Sequence, residues 1–214
     1  MVAAKLGAKV TVVERKGMGG SAVLTDVVPS KTLIATADSM RRAGRAAGLG
    51  VTQGDAEPKA DMKVVDQRLL ALALQQSRDI HRALERLGVR VIIGEGRLTG
   101  PTTVEATTPG GTETIESDAI LVSTGADPRE LPTARPDGER IFNWTQVYSL
   151  TEVPEHMIVV GSGVTGAEFA SAYNLLGAKV SLVSSRDRVL PGEDQDAAAV
   201  LEDAFIEDGI TVVG

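Results

Sequence analysis

Two stretches of the sequence predict an α/β fold built from two nested copies of one strand–helix–strand unit. The first is residues 157–183. Met157 to Val160 is an apolar run that reads as a buried strand, and Gly161, Gly163 and Gly166 follow it as G-x-G-x-x-G. An apolar-periodic helix then ends near Gly177, and residues 179–183 read as a second strand. The first glycine permits a tight turn, the second lets a pyrophosphate approach the backbone, and the third lets the helix pack closely on the strand. The second stretch is an internal repeat. Leu6-Gly-Ala-Lys-Val10 is identical to Leu176-Gly-Ala-Lys-Val180, and Thr11-Val-Val13 continues opposite Ser181-Leu-Val183. The expectation is two nested, three-layer, Rossmann-like dinucleotide-binding domains, the first with a small antiparallel meander and both incomplete. The strand and glycine loop of the first copy would precede Met1, so the chain is expected to start inside a helix.

The remaining elements follow in order. Residues 2–6 read as the end of a helix and 9–13 as the strand after it. Residues 17–20 are a loop. Pro29 opens a helix over 30–47, where a missing N–H costs nothing. Residues 48–59 are polar and rich in Gly and Pro, a surface excursion. Val65, Leu69, Leu72, Ile80, Leu84 and Leu87 recur at helical spacing within 62–87, one long amphipathic helix stopped by Gly88. Residues 89–93 are a strand, and 97–116, with Pro109-Gly-Gly111, an antiparallel hairpin or meander. Residues 119–123 read as another buried strand, and Pro128, Pro132 and Pro136 mark an irregular linker. Residues 144–150 form a short helix, 194–208 a longer one, and 210–213 a last strand. A division at residue 150 is expected, into 1–150 and 151–214, each holding one dinucleotide unit.

Composition narrows the function classes. Of 214 residues, 43% are hydrophobic but only 3% aromatic, so the core must be built from Val, Leu, Ile and Ala. The net charge of −7, without a basic patch, argues against a nucleic-acid partner. No apolar run approaches the ~20 residues of a membrane helix, and no signal-peptide pattern is visible, so a cytoplasmic location is expected. With no cysteine, disulfide scaffolding, zinc–thiolate sites and thiol catalysis are excluded. His81 and His156 lack an evident acid or hydroxyl partner and read as structural. Asp194, Asp196, Glu202 and Asp203 read as a solvated helix face with acids favoured at its start, and no metal motif is present.

The order of dinucleotide unit, meander and nested second unit resembles the pyridine nucleotide–disulfide oxidoreductases, the flavoprotein family of dihydrolipoamide dehydrogenase and glutathione reductase. Gly19-Gly-Ser-Ala-Val-Leu-Thr-Asp-Val-Val-Pro-Ser-Lys31 is similar to that family's redox segment G-G-T-C-x4-C-x-P-S-K, Ser123-Thr-Gly125 to its A-T-G turn, and residues 161–168 to its nicotinamide-nucleotide loop. The resemblance spans all 214 residues but only about the first half of such an enzyme. The family's later flavin-contacting G-D turn and its interface domain, with a His-Glu pair, are not in this sequence. The departure is informative: the two family cysteines fall at Ala22 and Val27, and neither residue can form a thiolate or a disulfide. A relay from flavin to a disulfide is thereby ruled out. The wording of the segment is most similar to an actinobacterial branch of NAD(P)H quinone reductases.

The resemblance implies FAD and NADP(H) or NAD(H) as cofactors, a small quinone-like electron acceptor, no membrane span, and a homodimeric parent. It implies that Lys31 and Glu168 pair beside the flavin, the cation stabilising the reduced ring and the carboxylate holding the cation. Glu14, at the end of the second strand, is the candidate for the FAD ribose. Gly19, Gly20 and Ser21 form a close-approach loop toward the pyrophosphate, and Thr124 and Gly125 close over the adenosine side. Gly161, Gly163, Val164, Thr165 and Gly166 would hold the nicotinamide nucleotide. In that unit Ser184 stands where an NAD-selective protein carries Asp or Glu. Ser185, Arg186 and Arg188 follow, which favours a 2′-phosphate and so NADPH or dual use. Two readings stay open: an FAD-dependent NAD(P)H oxidoreductase reducing a quinone-type acceptor, or a non-catalytic dinucleotide-binding fragment unable to hold FAD.

Overall fold

In a computed structural model, residues 1–51 and 58–214 are described. Residues 52–57, inside the excursion expected at 48–59, lie outside them. The described elements are α1 (Val2–Lys5), β1 (Thr11–Glu14), α2 (Gly20–Leu24), α3 (Val27–Ala46), α4 (Met62–Arg86), β2 (Arg90–Ile93), β3 (Glu95–Leu98), β4 (Thr103–Thr108), β5 (Gly111–Glu116), β6 (His156–Val160), α5 (Val164–Leu175), β7 (Lys179–Val183), α6 (Gln195–Glu207) and β8 (Thr211–Val213). Short 3₁₀ turns occupy Ala47–Leu49 and Val147–Ser149.

Compactness divides the chain into two interleaved units. One comprises Met1–Val28 and Leu70–Arg129, the other Pro29–Leu69 and Glu130–Gly214. This is not the functional division expected at residue 150. Residues 29–69 share a core with the glycine-loop unit, and α4 contributes its first two turns to one unit and the rest to the other.

In the first unit β1 and β2 run parallel in the register Thr11↔Arg90 to Glu14↔Ile93, and β3, β4 and β5 form an antiparallel meander. Its core is small: Met18, Leu84 and Val89 are buried, with Val10, Val12, Ile80 and Val91 against them. In the second unit β6, β7 and β8 form a parallel sheet in that order. Central β7 is the most deeply buried strand, with Val180 and Leu182 fully covered, and Tyr173, Leu33 and Leu69 belong to the same core. The Tyr173 hydroxyl donates to the Val147 carbonyl at 3.0 Å, and burial pushes its pKa up.

The repeat in sequence is a repeat in structure. Gly7 and Gly177 both take positive φ, +92° and +107°, just past a helix. In the first copy the Ala8 N–H bonds the Ala3 carbonyl at 3.0 Å; in the second Ala178 N–H bonds Tyr173 at 2.9 Å. This bond, from two residues past the helix cap back onto its last turn, closes a helix through a left-handed glycine. It is the physical reason that Leu-Gly-Ala occurs twice.

Several expectations are corrected. Residues 119–123 are not a buried strand: among the described residues they pair with no strand, and Leu121 and Val122 are 91% and 59% exposed. An apolar run becomes a strand only when a hydrogen-bonding neighbour pairs with it, and none of the described strands forms a ladder with this one. β6 is a strand but not a buried one, since Ile158 and Val160 are 63% and 69% exposed on a face that no described element covers. The buried stripe of α4 is Met62, Val65, Leu69, Ala73, Ser77 and Leu84; Leu72 lies outside it and is exposed. The helix expected at 144–150 is only a 3₁₀ turn, Val147–Ser149. Both histidines have partners: His81 Nε2 lies 3.5 Å from Glu85 one turn on, and His156 Nε2 lies 2.9 Å from Ser181 Oγ on the adjacent strand. In the linker, the Asp137 carboxylate accepts from the N–H groups of Glu139, Arg140 and Ile141, which hold its pKa down at about 2.

Candidate functional site

The glycine loop connects β6 to α5. Gly161 has φ +111° and donates its N–H to the Val183 carbonyl at 2.9 Å, which ties the loop to β7. Gly163 is the N-cap of α5 and supplies no side chain to cap it, and Val164 and Thr165 in the first turn are exposed. A Cβ at Gly163 would meet open space, whereas one at Gly166 would overlap the Gly161 carbonyl oxygen. Gly166 therefore lets helix and strand touch, and the uncapped N–H groups at Val164 and beyond face outward at the positive end of α5. An anion fits such a cradle.

Buried hydroxyls brace this loop. Ser162 and Ser184 are 5% and 7% exposed, and their Oγ atoms lie 2.7 Å apart. Both hydroxyls reach the Arg188 carbonyl, at 3.3 and 3.2 Å, and Ser184 Oγ accepts from the Arg186 N–H at 3.0 Å. The Leu190 N–H donates to the Ser162 carbonyl at 2.8 Å. The side chain at position 184 thus orders the loop after β7. Ser162, the x of the first G-x-G, gave no signal in the sequence beyond its small size.

The two arginines of that loop differ. Arg188 donates through Nη2 to the carbonyls of Pro191 and Glu193, at 3.4 and 3.2 Å. The Arg186 guanidinium makes no hydrogen bond or ion pair among the described residues, and it is exposed beside exposed Ser185.

Lys31, in the second turn of α3, forms an ion pair with Glu168 of α5 through Nζ and Oε1. The two residues are 137 apart in sequence, and the glutamate side chain is the more buried, 28% against 57% exposed. Pro29 sits in the first turn of α3, which starts at Val27, three residues earlier than expected.

In the other unit Glu14 ends β1. Its Oε1 accepts from the N–H groups of Lys16 and Gly17, at 2.7 and 3.3 Å, leaving Oε2 without a protein donor among the described residues. One oxygen shapes the turn and the other is left for a donor from outside the described residues. Gly19 and Gly20 have φ of +94° and +56°, and a Cβ on Gly19 would overlap the Val23 side chain. Ser21 is exposed on the short helix that follows, as is Ala22, and Val27 is 47% exposed. Thr124 and Gly125 lie in exposed irregular chain, Gly125 with φ +74°.

Comparison with known proteins places the chain among relatives. The family profile described as pyridine nucleotide-disulphide oxidoreductase matches residues 1–213. A protein of Mycobacterium tuberculosis named NAD(P)H dehydrogenase (quinone) is 48% identical over 209 residues, covering 94% of this chain and 42% of its own. A dihydrolipoyl dehydrogenase of Chlorobaculum tepidum is 35% identical over 211 residues, covering 98% of this chain and 45% of its own. The chain thus spans about half the length of the curated relatives it matches. Among solved structures, LpdA from Mycobacterium tuberculosis superposes with a TM-score of 0.90 at 47% identity, over 99% of this chain and 47% of that one. The flavoprotein disulfide reductase RclA from Escherichia coli, at 23% identity and a TM-score of 0.78, shares the fold.

Proposed function

The chain belongs to the pyridine nucleotide-disulphide oxidoreductase family, and on that premise we propose that it forms part of an FAD-dependent NAD(P)H oxidoreductase that reduces a quinone-type acceptor and no disulfide. The observation that carries this reading is the Lys31–Glu168 ion pair, a contact that the family resemblance implies between two residues 137 apart in sequence. When bound, the two cofactors supply hydride transfer between nicotinamide and flavin rings. Lys31 places a cation where negative charge develops, and Glu168, the more buried partner, fixes that cation's position. The diphosphate of the nicotinamide nucleotide is assigned to the backbone of Gly161, Gly163, Val164, Thr165 and Gly166. Glu14, through Oε2, is assigned to the FAD ribose, Gly19, Gly20 and Ser21 to its pyrophosphate, and Thr124 and Gly125 to its adenosine side. In this reading residues 1–150 serve FAD and residues 151–214 the nicotinamide nucleotide. Ala22 and Val27 supply no thiol, so electrons leave the flavin for an external acceptor.

The visible spectrum of the purified chain after incubation with FAD is the first test. A bound flavin band supports the reading, and a colourless protein favours the second reading, a non-catalytic dinucleotide-binding fragment. The role of Lys31 is tested by stopped-flow flavin reduction. Lys31→Met is expected to slow reduction by NADPH about tenfold or more, in line with one charge-assisted contact in a partly desolvated site. An unchanged rate discards the role. Turnover with a benzoquinone and none with a disulfide is the expected acceptor pattern.

The preferred nucleotide follows from the loop after β7. Ser184 presents no carboxylate to repel a 2′-phosphate, and Arg186 carries an uncommitted guanidinium. Arg186 is therefore the residue assigned to the 2′-phosphate, with Arg188 and Ser185 shaping its loop. NADPH is expected to bind more tightly than NADH, and Arg186→Ala to remove about tenfold of the NADPH affinity while leaving NADH nearly unchanged. Titration calorimetry with both nucleotides checks this, and a clear NADH preference in the unaltered chain overturns it.

A further inference from the structure

A cleft of about 540 Å³ runs along α3 between that helix, α5 and α6, all within the second unit. This volume falls in the range of small-molecule sites, roughly 300–1,000 Å³. The walls are mostly apolar: Ile34 from α3, Leu175 from α5, Leu201 and Phe205 from α6, and Leu190 from the loop before it. Lys31, Ile34, Asp38 and Arg41 recur at spacings of three and four and so line one face of α3. Lys31 is at one end; Arg41 lies ten residues on, about 15 Å along the helix.

The charges along this face are not balanced. Glu168 is paired with Lys31, and Asp38 with Arg42 at 2.7 Å. Arg41 makes no ion pair or hydrogen bond among the described residues, and its Nε is buried without an acceptor. Nε is closed to solvent and so to any ligand, but the two Nη groups are not, and they carry a positive charge with no counter-charge among the described residues, which an anionic oxygen in the cleft can pair. Neither carboxylate of the cleft is free to do so. An anionic oxygen fits the Arg41 end, and an apolar body fits Ile34, Leu201 and Phe205. We propose that the cleft binds a small organic acid with an apolar body, its carboxylate or sulfonate on Arg41, at the end of the cleft about 15 Å along α3 from the Lys31–Glu168 pair that lines its other end.

The probe is 1-anilinonaphthalene-8-sulfonate, an apolar anion whose fluorescence rises on leaving water. The chain is expected to bind it at one saturable site, and Arg41→Gln to weaken binding about tenfold or more, the effect of losing one charge-assisted hydrogen bond. Uncharged N-phenyl-1-naphthylamine is expected to bind both proteins alike. Ser171→Trp, which fills the cleft from α5, is expected to abolish binding of both probes, with circular dichroism confirming that each variant folds; if Arg41→Gln does not fold, Ser171→Trp alone decides. Retention of sulfonate binding by the folded Ser171→Trp protein, or equal affinity in Arg41→Gln, would place the probe elsewhere, the glycine loop included, and overturn the proposal.

Discussion

The two ends of the glycine loop obey opposite constraints, one open and one closed. At Gly163 a side chain would meet only open space, whereas at Gly166 it would overlap the Gly161 carbonyl oxygen. Gly166→Ala must therefore push α5 off β6. Overpacking of this kind costs about 1–3 kcal/mol, so the substitution is expected to lower stability by that amount in urea unfolding. Gly163→Ala, at an N-cap with φ of −71° and no clash, is expected to change stability little while obstructing the approach of a phosphate. Which glycine does which was legible in the sequence, because the G-x-G-x-x-G spacing follows from strand, turn and helix geometry alone. The pairing of Lys31 with Glu168 was legible only through resemblance, since nothing local relates two residues so far apart. Ser162 was not legible at all. A serine between two glycines looks like any small turn residue until its hydroxyl is found against Ser184.

At the scale of the element, most boundaries follow from caps. Asp194 accepts from the N–H groups of Asp196 and Ala197, each at 3.0 Å, and so begins α6. Asp194→Ala is expected to cost about 0.5–2 kcal/mol, the usual loss for an N-cap, read as a lowered urea midpoint with an unchanged slope. Asp194→Asn should retain most of it. The acidic set Asp194, Asp196, Glu202 and Asp203, read in the sequence as a solvated face, includes two structural acceptors: Asp194 at the cap, and Glu202, whose Oε2 accepts from the Val189 N–H at 2.9 Å. Elements bounded by local signals (the glycine after α1, the Pro-Gly-Gly turn between β4 and β5, the apolar period of α4) were legible to within a few residues. Residues 119–123 were misread because burial of a strand depends on its neighbours, and no local pattern reports whether a neighbour is there. Leu72 was misread for a related reason: α4 carries more leucines than its covered stripe can bury.

For the whole molecule, the covered and uncovered faces of the second sheet decide behaviour in solution. β7 is sealed, but β6 exposes Ile158 and Val160 and has an unpaired edge. Exposed apolar strands with an open edge promote association. The chain is expected to self-associate with rising concentration, and Ile158→Thr with Val160→Thr to reduce this while retaining the fold, since neither side chain is part of the core. Sedimentation velocity over a concentration series checks it; identical profiles for the two proteins would show that this face is not the cause. The fold class was legible because both copies of the repeat keep the same helix-closing bond. The interleaving of the two compact units was not, since a sequence read from end to end suggests a division at one point.

That interleaving bears on how the polypeptide is made. Leu33 and Leu69 leave the ribosome long before Val180 and Leu182, with which they share a core. At the usual rate of about 5–20 residues per second, α3 and the start of α4 wait on the order of ten seconds for the strands that bury them. Throughout that interval the apolar faces of Leu33, Ala37, Val65 and Leu69 are open to whatever else the nascent chain meets. Residues 70–129 meanwhile emerge and complete the other unit around Met18, Leu84 and Val89. Synthesis from the N-terminus therefore brings the residues of the smaller core together first and leaves the larger one dependent on strands made later, β7 with Val180 and Leu182 among them.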